Sequence, residues 1–104
     1  MELKKILNEF KQELYKLYGG RLKKVILYGS WARKEATKES DIDLVVVLEG
    51  EVTPGKEIDR MIDIITEINL KYDVLISVYP ISEENYFNIK SPLLINIRKE
   101  GVLA

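Results

Sequence analysis

One short segment, from Asp41 to Leu48, constrains the fold of this chain more than any other. It reads DIDLVVVL, and every side chain after the first three residues is apolar, with three valines in succession. A run of this length and composition predicts a strand inside a sheet that is shielded from water. Two carboxylates at the start of such a strand, Asp41 and Asp43, are costly there unless a cation compensates their charge.

Helical and strand patterns alternate along the rest of the chain. Apolar residues recur every three or four positions in the segments that we predict as helices, and the predicted strands are short and rich in Val and Ile. The predicted elements are helix 3–17, strand 22–28, helix 30–39, strand 41–48, helix 58–71, strand 73–80, an acidic turn or short helix from 82, and a helix from 92 that stops at Gly101. This order predicts a small layered α/β (α+β) domain over residues 1–104. We expect a mixed sheet of three strands or slightly more, with helices packed on one face.

Missing residue types exclude several kinds of chemistry. The chain has 104 residues, 46% of them hydrophobic, and it has neither cysteine nor histidine. Disulfides, thiolate-held zinc and histidine bases are therefore excluded, so catalysis would have to use carboxylates, hydroxyls, Lys, Arg or bound ions. Lys and Arg total 16 against 17 Asp and Glu, and a net charge of −1 predicts no stable nucleic-acid binding. Neither an apolar run of about 18 residues nor a signal-peptide pattern is present, so we expect a cytoplasmic protein without membrane association.

Gly29 and Ser30 lie where a predicted strand hands over to a predicted helix. A glycine there lets a ligand approach the backbone, and free N–H groups at a helix start attract phosphate oxygens. Ser30 adds a hydroxyl donor, and Arg33 follows one helical turn later, where a guanidinium could bind a phosphate through two hydrogen bonds. These residues predict a phosphate-binding position.

Asp41 and Asp43 lie at the other end of the same segment. Because strand side chains alternate, both carboxylates leave one face while Ile42 and Leu44 point to the opposite face. Oxygen-only ligands suit Mg²⁺ or Mn²⁺, which keep several waters and bridge to substrate phosphates. A phosphate-binding helix start beside a carboxylate pair predicts nucleotide chemistry.

These positions together resemble the signature of the DNA polymerase beta-like nucleotidyltransferase superfamily. The matching residues are Gly29-Ser30 and Asp41-Ile42-Asp43 with ten residues between the two groups, and Ala32-Arg33, Glu35-Ala36 and Ser40 within that interval. Over essentially its whole length the chain is similar to the stand-alone minimal nucleotidyltransferases (MNT proteins) of archaea and bacteria. Family members usually have glycine where this chain has Lys34, which we interpret as a tolerated change at a solvent-facing helical position. The resemblance implies that the nucleotide is bound by Gly29, Ser30, Arg33 and Ser40.

The family also uses a third carboxylate from a neighbouring strand, and by resemblance Asp73 is the candidate. It opens the third predicted strand and shares a face with Leu75 and Ser77. Asp41, Asp43 and Asp73 are then the expected catalytic residues and metal ligands. A slip of one or two residues in strand register would change the third assignment. Asp63 and Glu67, on the polar side of the preceding helix, are the alternatives.

The resemblance implies a metal-dependent enzyme that transfers a nucleoside monophosphate to an acceptor hydroxyl and releases pyrophosphate. ATP is the expected donor, and two Mg²⁺ ions (or Mn²⁺) are the expected cofactors. Minimal members are typically encoded with a HEPN-domain partner, and the family includes antitoxins that adenylylate a tyrosine of that partner toxin. We therefore expect AMP transfer within a toxin–antitoxin pair, in a heteromeric complex, with a homodimer as a further expected assembly.

Other interpretations compete with this one. The chain could neutralise a partner as a binding module without turnover, although a retained pair of carboxylates argues against that. A small antibiotic-like molecule is a third candidate acceptor. Tyr28 and Trp31 flank the motif, and core packing is the favoured interpretation for both over base stacking.

Overall fold

The computed structural model describes residues 3–104 and contains a four-stranded mixed sheet between two layers of helices. The elements are α1 (Leu3–Tyr18), a 3₁₀ turn (Gly19–Arg21), β1 (Leu22–Tyr28), α2 (Gly29–Ala32), β2 (Ile42–Leu48), α3 (Pro54–Tyr72), β3 (Ile76–Ser82), α4 (Glu83–Asn88), α5 (Pro92–Glu100) and β4 (Val102–Leu103). The strand order is β3-β2-β1-β4, with β2 and β3 parallel and β1 antiparallel to both of its neighbours. The mixed α/β sheet that the sequence predicts is confirmed.

The two long helices, α1 and α3, cover one face of the sheet. Each has an apolar stripe at helical spacing, and both stripes pack against every second residue of β1 and β2. The buried side chains of this layer include Ile6, Phe10 and Leu14 of α1, Met61, Ile65 and Ile68 of α3, and Val25, Leu27, Ile42, Leu44 and Val46 of the sheet. Each buried side chain of this size stabilises the fold by about 1.5–3 kcal/mol.

The opposite face of the sheet carries the two short C-terminal helices. Val45 and Val47 alternate with the residues of the first layer, and they pack with Tyr86 of α4 and with Leu94 and Ile97 of α5. The expectation of helices on one face therefore holds for α1 and α3 and is corrected for α4 and α5. The second layer is the reason that β2 is apolar on both sides, because each of its faces is buried under helices.

Helix ends explain several boundaries. The hydroxyl of Ser91 accepts a hydrogen bond from the backbone N–H of Leu94 at 3.2 Å, so the expected serine cap with proline at the first helical position is confirmed. Gly101 ends α5 as expected, but the chain then continues into β4, a two-residue edge strand that the sequence analysis did not include. Across residues 3–104 no helix combines the length with the apolarity that a bilayer crossing requires.

A buried carboxylate joins α1 to α3 where the sheet begins. Glu57 is only 3% exposed, and the phenol of Tyr18 donates a hydrogen bond to its Oε1 at 2.9 Å. Arg60 donates to the same carboxylate at 3.2 Å, and Arg21 lies 3.9 Å from it. Burial and the hydrogen bond to Glu57 raise the pKa of Tyr18. These partners satisfy a charge that would otherwise be too costly to bury.

Candidate active site

The centre of the site is a contact between Gly29 and the carboxylate of Asp43. The end of β1 pairs with the start of β2, so that Tyr28 lies opposite Asp43 and Gly29 follows at the turn into α2. Gly29 has φ +73°, and a Cβ added there would overlap Oδ2 of Asp43. Glycine is therefore required twice, once by the left-handed backbone and once by the approach of the carboxylate.

Asp41 and Asp43 share one local environment, as the alternation of strand side chains predicts. Asp41 is exposed and immediately precedes β2, whereas Asp43 is half-buried within the strand, on the face of Val45 and Val47. Burial raises the pKa of the Asp43 carboxyl, the charge of Asp41 raises it further, and Arg33 partly offsets the rise. The pair is therefore short of positive charge.

The donor set fits a divalent cation of the Mg²⁺ type. Two carboxylates with no nitrogen or sulfur ligand favour a hard cation, which completes its shell with waters and substrate phosphates. Within residues 3–104 there is no group of three or more acidic side chains that could hold a metal ion. The described residues thus offer a two-carboxylate site, Asp41 with Asp43.

Arg33 lies beside this pair and is held there by two acidic side chains. Its backbone N–H bonds the carbonyl of Gly29 at 3.1 Å, which closes α2. Its Nε lies 3.2 Å from Glu35, and its Nη1 lies 4.0 Å from Glu100 of α5. Exposed ion pairs of this kind contribute about 0–1 kcal/mol, so a phosphate can displace them.

The predicted helix over 30–39 is much shorter than expected. α2 ends at Ala32, and a loop leads from Arg33 to β2. Lys34 is exposed but is not helical, since it adopts the left-handed backbone at φ +61°. The left-handed conformation explains why glycine is usual at this position, and our interpretation of Lys34 as a helical residue is wrong.

Trp31 and Ser40 organise that loop. The indole Nε1 of Trp31 donates to the carbonyl of Ser40 at 3.2 Å, and the ring packs against the core on the side of α1 and α3. The hydroxyl of Ser40 accepts the backbone N–H of Thr37 at 3.0 Å. The packing interpretation of Trp31 is confirmed. The contact of Ser40 with a nucleotide stays a prediction, because its hydroxyl bonds within the loop.

Asp73 does not open β3. α3 runs on to Tyr72, Asp73 caps it in the left-handed conformation at φ +53°, and β3 begins only at Ile76. The prediction that Asp73 opens the third strand is therefore wrong, and Asp73 belongs to no three-carboxylate cluster among the described residues. Aspartate tolerates the left-handed conformation better than most residues, which suits it to this cap. Its role as a metal ligand stays a prediction without that support.

The two alternative third ligands, Asp63 and Glu67, lie away from the carboxylate pair. Asp63 and Glu67 are exposed on α3, and that helix packs on the face of the sheet opposite to Asp43. The β3 residue in register with Asp43 is Ser77, an exposed hydroxyl. The row across the sheet at this level therefore reads Tyr28, Asp43, Ser77.

A small cavity next to Gly29 was missed by the sequence analysis. It measures about 200 Å³ and lies between Gly29, Arg33 and the α5 residues Leu93, Asn96 and Glu100, with Tyr28 and Ile97 completing its wall. The helix itself is predictable, but its sequence does not indicate which face meets β1. Larger depressions of about 650 and 510 Å³ lie along α1, on the other face of the sheet from Asp43, and cannot serve the carboxylate pair.

Comparison with known proteins agrees with this geometry. Residues 3–103 match the model of the nucleotidyltransferase domain family. The chain belongs to this family. A proposed protein adenylyltransferase of Methanocaldococcus jannaschii is 44% identical to this nucleotidyltransferase over 90 residues, which cover 86% of the chain and 83% of the relative. A second proposed protein adenylyltransferase of that organism is 35% identical over 102 residues, 98% of both chains.

The fold also matches a solved structure of a toxin–antitoxin with AMP-PNP. The TM-score is 0.63 with 14% sequence identity, and the superposition covers 90% of the nucleotidyltransferase described here and 68% of the other chain. At that identity the likeness concerns the fold alone.

Proposed function

We propose that this nucleotidyltransferase transfers AMP from ATP to a hydroxyl of a partner protein, as the cytoplasmic antitoxin of a HEPN-type toxin–antitoxin pair. The observation that carries the proposal is the carboxylate of Asp43 pressed against Gly29, with Asp41 beside it. That contact puts the carboxylate pair next to a backbone position where a side chain would be strained and would overlap Asp43. The names of the two relatives from M. jannaschii support protein adenylylation, and the toxin–antitoxin structure of the same fold supports the partner.

The described residues divide into two roles. Asp41 and Asp43 would hold Mg²⁺, with Mn²⁺ as a substitute, and the bound ion would neutralise charge on the triphosphate. Gly29 and Ser30 would receive phosphate oxygens at their backbone and hydroxyl, and Arg33 would leave its exposed pairs to bind a phosphate oxygen.

The reaction requires one bond to form and one to break. The acceptor oxygen attacks the α-phosphorus of ATP, the bond between that phosphorus and the bridging oxygen to the β-phosphorus breaks, and pyrophosphate leaves with the electron pair. The hydroxyl proton would pass toward Asp73, the predicted third carboxylate, or to solvent water. Rate acceleration comes from positioning and charge neutralisation, because the chain has no histidine or cysteine to act as base or nucleophile.

The test is intact-mass spectrometry of the partner. The wild-type chain is incubated with ATP, Mg²⁺ and the protein encoded by the adjacent gene, and we expect the partner to gain the mass of one AMP. Asp43→Asn, which keeps the shape of the side chain and removes its charge, should abolish the gain. Asp59→Asn, an exposed substitution on α3, serves as the control and should leave it unchanged.

The outcomes separate the competing functions. Labelling of a small molecule in place of the partner would identify a small-molecule nucleotidyltransferase. Tight binding of the partner with no AMP transfer, equal for wild type and Asp43→Asn, would identify a non-catalytic binding module and refute the proposal. Light scattering of the isolated chain tests the homodimer that we also propose, which should have twice the mass of one chain.

A further inference from the structure

The two sides of the carboxylate pair differ in what covers them. On the β1 side lie Gly29 and Arg33, and α5 forms a wall against both of them. On the β3 side the sheet ends, because β3 is the outermost strand of the sheet that the described residues form. α4 packs with Ile81, which lies at the far end of β3 from Asp43. A large molecule can therefore approach Asp43 from the β3 side without displacing a helix.

Two exposed residues border the pair on the β3 side. Ser77 is the residue of β3 in register with Asp43, on a strand whose backbone lies about 4.8 Å away, and it is exposed. The carbonyl of Leu75 accepts a hydrogen bond from the backbone N–H of Ile42 at 2.9 Å. Leu75 therefore lies beside the residue that separates Asp41 from Asp43, and it is 56% exposed. We call Leu75 and Ser77 the β3 rim.

The β3 rim is held in place by Asn69 near the end of α3. The side-chain carbonyl of Asn69 accepts the backbone N–H of Ile76 at 2.9 Å, and its backbone carbonyl accepts that of Val74 at 3.1 Å. Ile76 is also buried in the core under α1 and α3. The backbone on both sides of Leu75 is therefore fixed, so a molecule that contacts the rim meets a preformed surface and little ordering opposes its binding.

The proposed chemistry assigns the acceptor to this same side. Gly29, Ser30 and Arg33 are the proposed contacts of the phosphate oxygens, so pyrophosphate leaves toward β1. The attacking and leaving oxygens of a phosphoryl-type transfer lie roughly in line through the phosphorus. The acceptor hydroxyl therefore enters from the direction away from β1, which is the direction of the β3 rim.

We propose that the partner protein docks on the β3 rim and presents its acceptor hydroxyl to the α-phosphate from there. The inference rests on the proposed function and adds the surface that the acceptor protein contacts. Residues 73–79, DVLISVY, include no Lys or Arg, which a nucleic acid would need for its phosphates. An exposed leucine at the border of the site is suited instead to an apolar side chain in the core of a protein interface.

The first experiment measures AMP transfer as a function of the concentration of the protein encoded by the adjacent gene. Leu75→Ser removes the apolar contact, so it should raise the KM for this partner by at least about tenfold, which corresponds to about 1.4 kcal/mol. The kcat at saturating partner and the affinity for inorganic tripolyphosphate with Mg²⁺ should stay close to the wild-type values. Leu103→Ser, on β4 at the opposite edge of the sheet, is the matched control and should keep the wild-type KM. Both variants should fold, because Leu75 is 56% and Leu103 is 73% exposed.

The second experiment locates the docked partner by photocrosslinking. The photoreactive amino acid p-benzoylphenylalanine is incorporated at position 75 or at position 103, and each chain is irradiated in the presence of the partner. The inference predicts a crosslinked complex from position 75 and none from position 103.

The outcomes separate this inference from the proposed function. A wild-type KM in Leu75→Ser, or a crosslink from position 103 in place of position 75, would overturn docking on the β3 rim while the proposed AMP transfer stands. Failure of the wild-type chain to adenylylate the partner would instead refute the proposed function, and this inference with it.

Discussion

Replacing Gly29 with alanine tests the geometry of the site, because two separable costs meet at this residue. The first cost is the left-handed backbone at φ +73°, which penalises a side chain by about 1–2 kcal/mol. For a domain of about 100 residues, 1 kcal/mol lowers the melting temperature by roughly 4–8 °C. The second cost is the overlap of the new Cβ with the Asp43 carboxylate, which must move aside.

Gly19→Ala isolates the first cost from the second. Gly19 has φ +55°, and an added Cβ there meets no atom within 4 Å. Calorimetry should show a fall of roughly 4–16 °C for Gly19→Ala and a larger fall for Gly29→Ala. Both variants are then assayed for AMP transfer at a temperature where both are folded.

The activities should diverge more than the stabilities. A displacement of about 1 Å in a catalytic group can cost about 10²-fold in rate, so Gly29→Ala should lose at least that factor in kcat/KM. Gly19→Ala should retain wild-type activity, because it changes no atom near the site. Equal activity of the two folded variants would refute the claim that the contact between Gly29 and Asp43 matters for catalysis.

Four further substitutions follow from the structure. Burial raises the folded-state pKa of the Asp43 carboxyl above its ordinary 3.8, so calorimetry of metal-free wild type should show stability falling as the pH rises from 3.8 through the raised pKa. Asp43→Asn should not show this fall, and a similar fall in the variant would contradict the assignment to Asp43. Asp73→Asn should keep the stability near wild type, since asparagine also tolerates the left-handed cap, and its AMP transfer tests the predicted third ligand: a loss as large as that of Asp43→Asn would support that role, and wild-type transfer would refute it. Glu57→Ala should cost about 1–3 kcal/mol in urea unfolding, because it leaves the buried phenol of Tyr18 without its acceptor while Arg60 and Arg21 can turn to solvent, and no measurable loss would disagree. Lys34→Gly should raise the melting temperature or leave it unchanged, because glycine removes the strain of a side chain at φ +61°, and this gain is at least as large as the extra backbone entropy that glycine loses on folding. A clear fall in the melting temperature would count against the left-handed conformation of Lys34.

The sequence predicts those features of the site that depend on neighbouring residues better than those that depend on tertiary packing. Alternation along a strand predicts that Asp41 lies near Asp43, and its charge does act on the Asp43 carboxyl; the change from a strand pattern to a helix pattern locates Gly29. Both depend on neighbouring residues only. The contact between Gly29 and Asp43 is different, because it depends on the pairing register of β1 with β2.

Features that depend on tertiary packing were predicted less well. The apolar run of β2 does not say which helices cover each face, so the second layer of α4 and α5 had to come from the structure. Asp73 lies between the helical pattern of α3 and the apolar run of β3. Whether it caps the helix or begins the strand depends on where α3 ends, which the sequence pattern does not define to within one or two residues. The loop after α2 has helical composition, yet the left-handed Lys34 and the bond from Trp31 to Ser40 hold it in an irregular path.

The central claim, transfer of a nucleoside monophosphate by the Asp41–Asp43 pair, is tested most directly by following the two ends of the triphosphate. ATP labelled on the α-phosphorus and ATP labelled on the γ-phosphorus are supplied in parallel, with Mg²⁺ and the partner protein, to wild type and to Asp43→Asn. The account predicts that wild type transfers only the α label to the partner and releases the γ label as pyrophosphate, and that Asp43→Asn transfers neither. Transfer of the γ label, or equal transfer of the α label by Asp43→Asn, would contradict it.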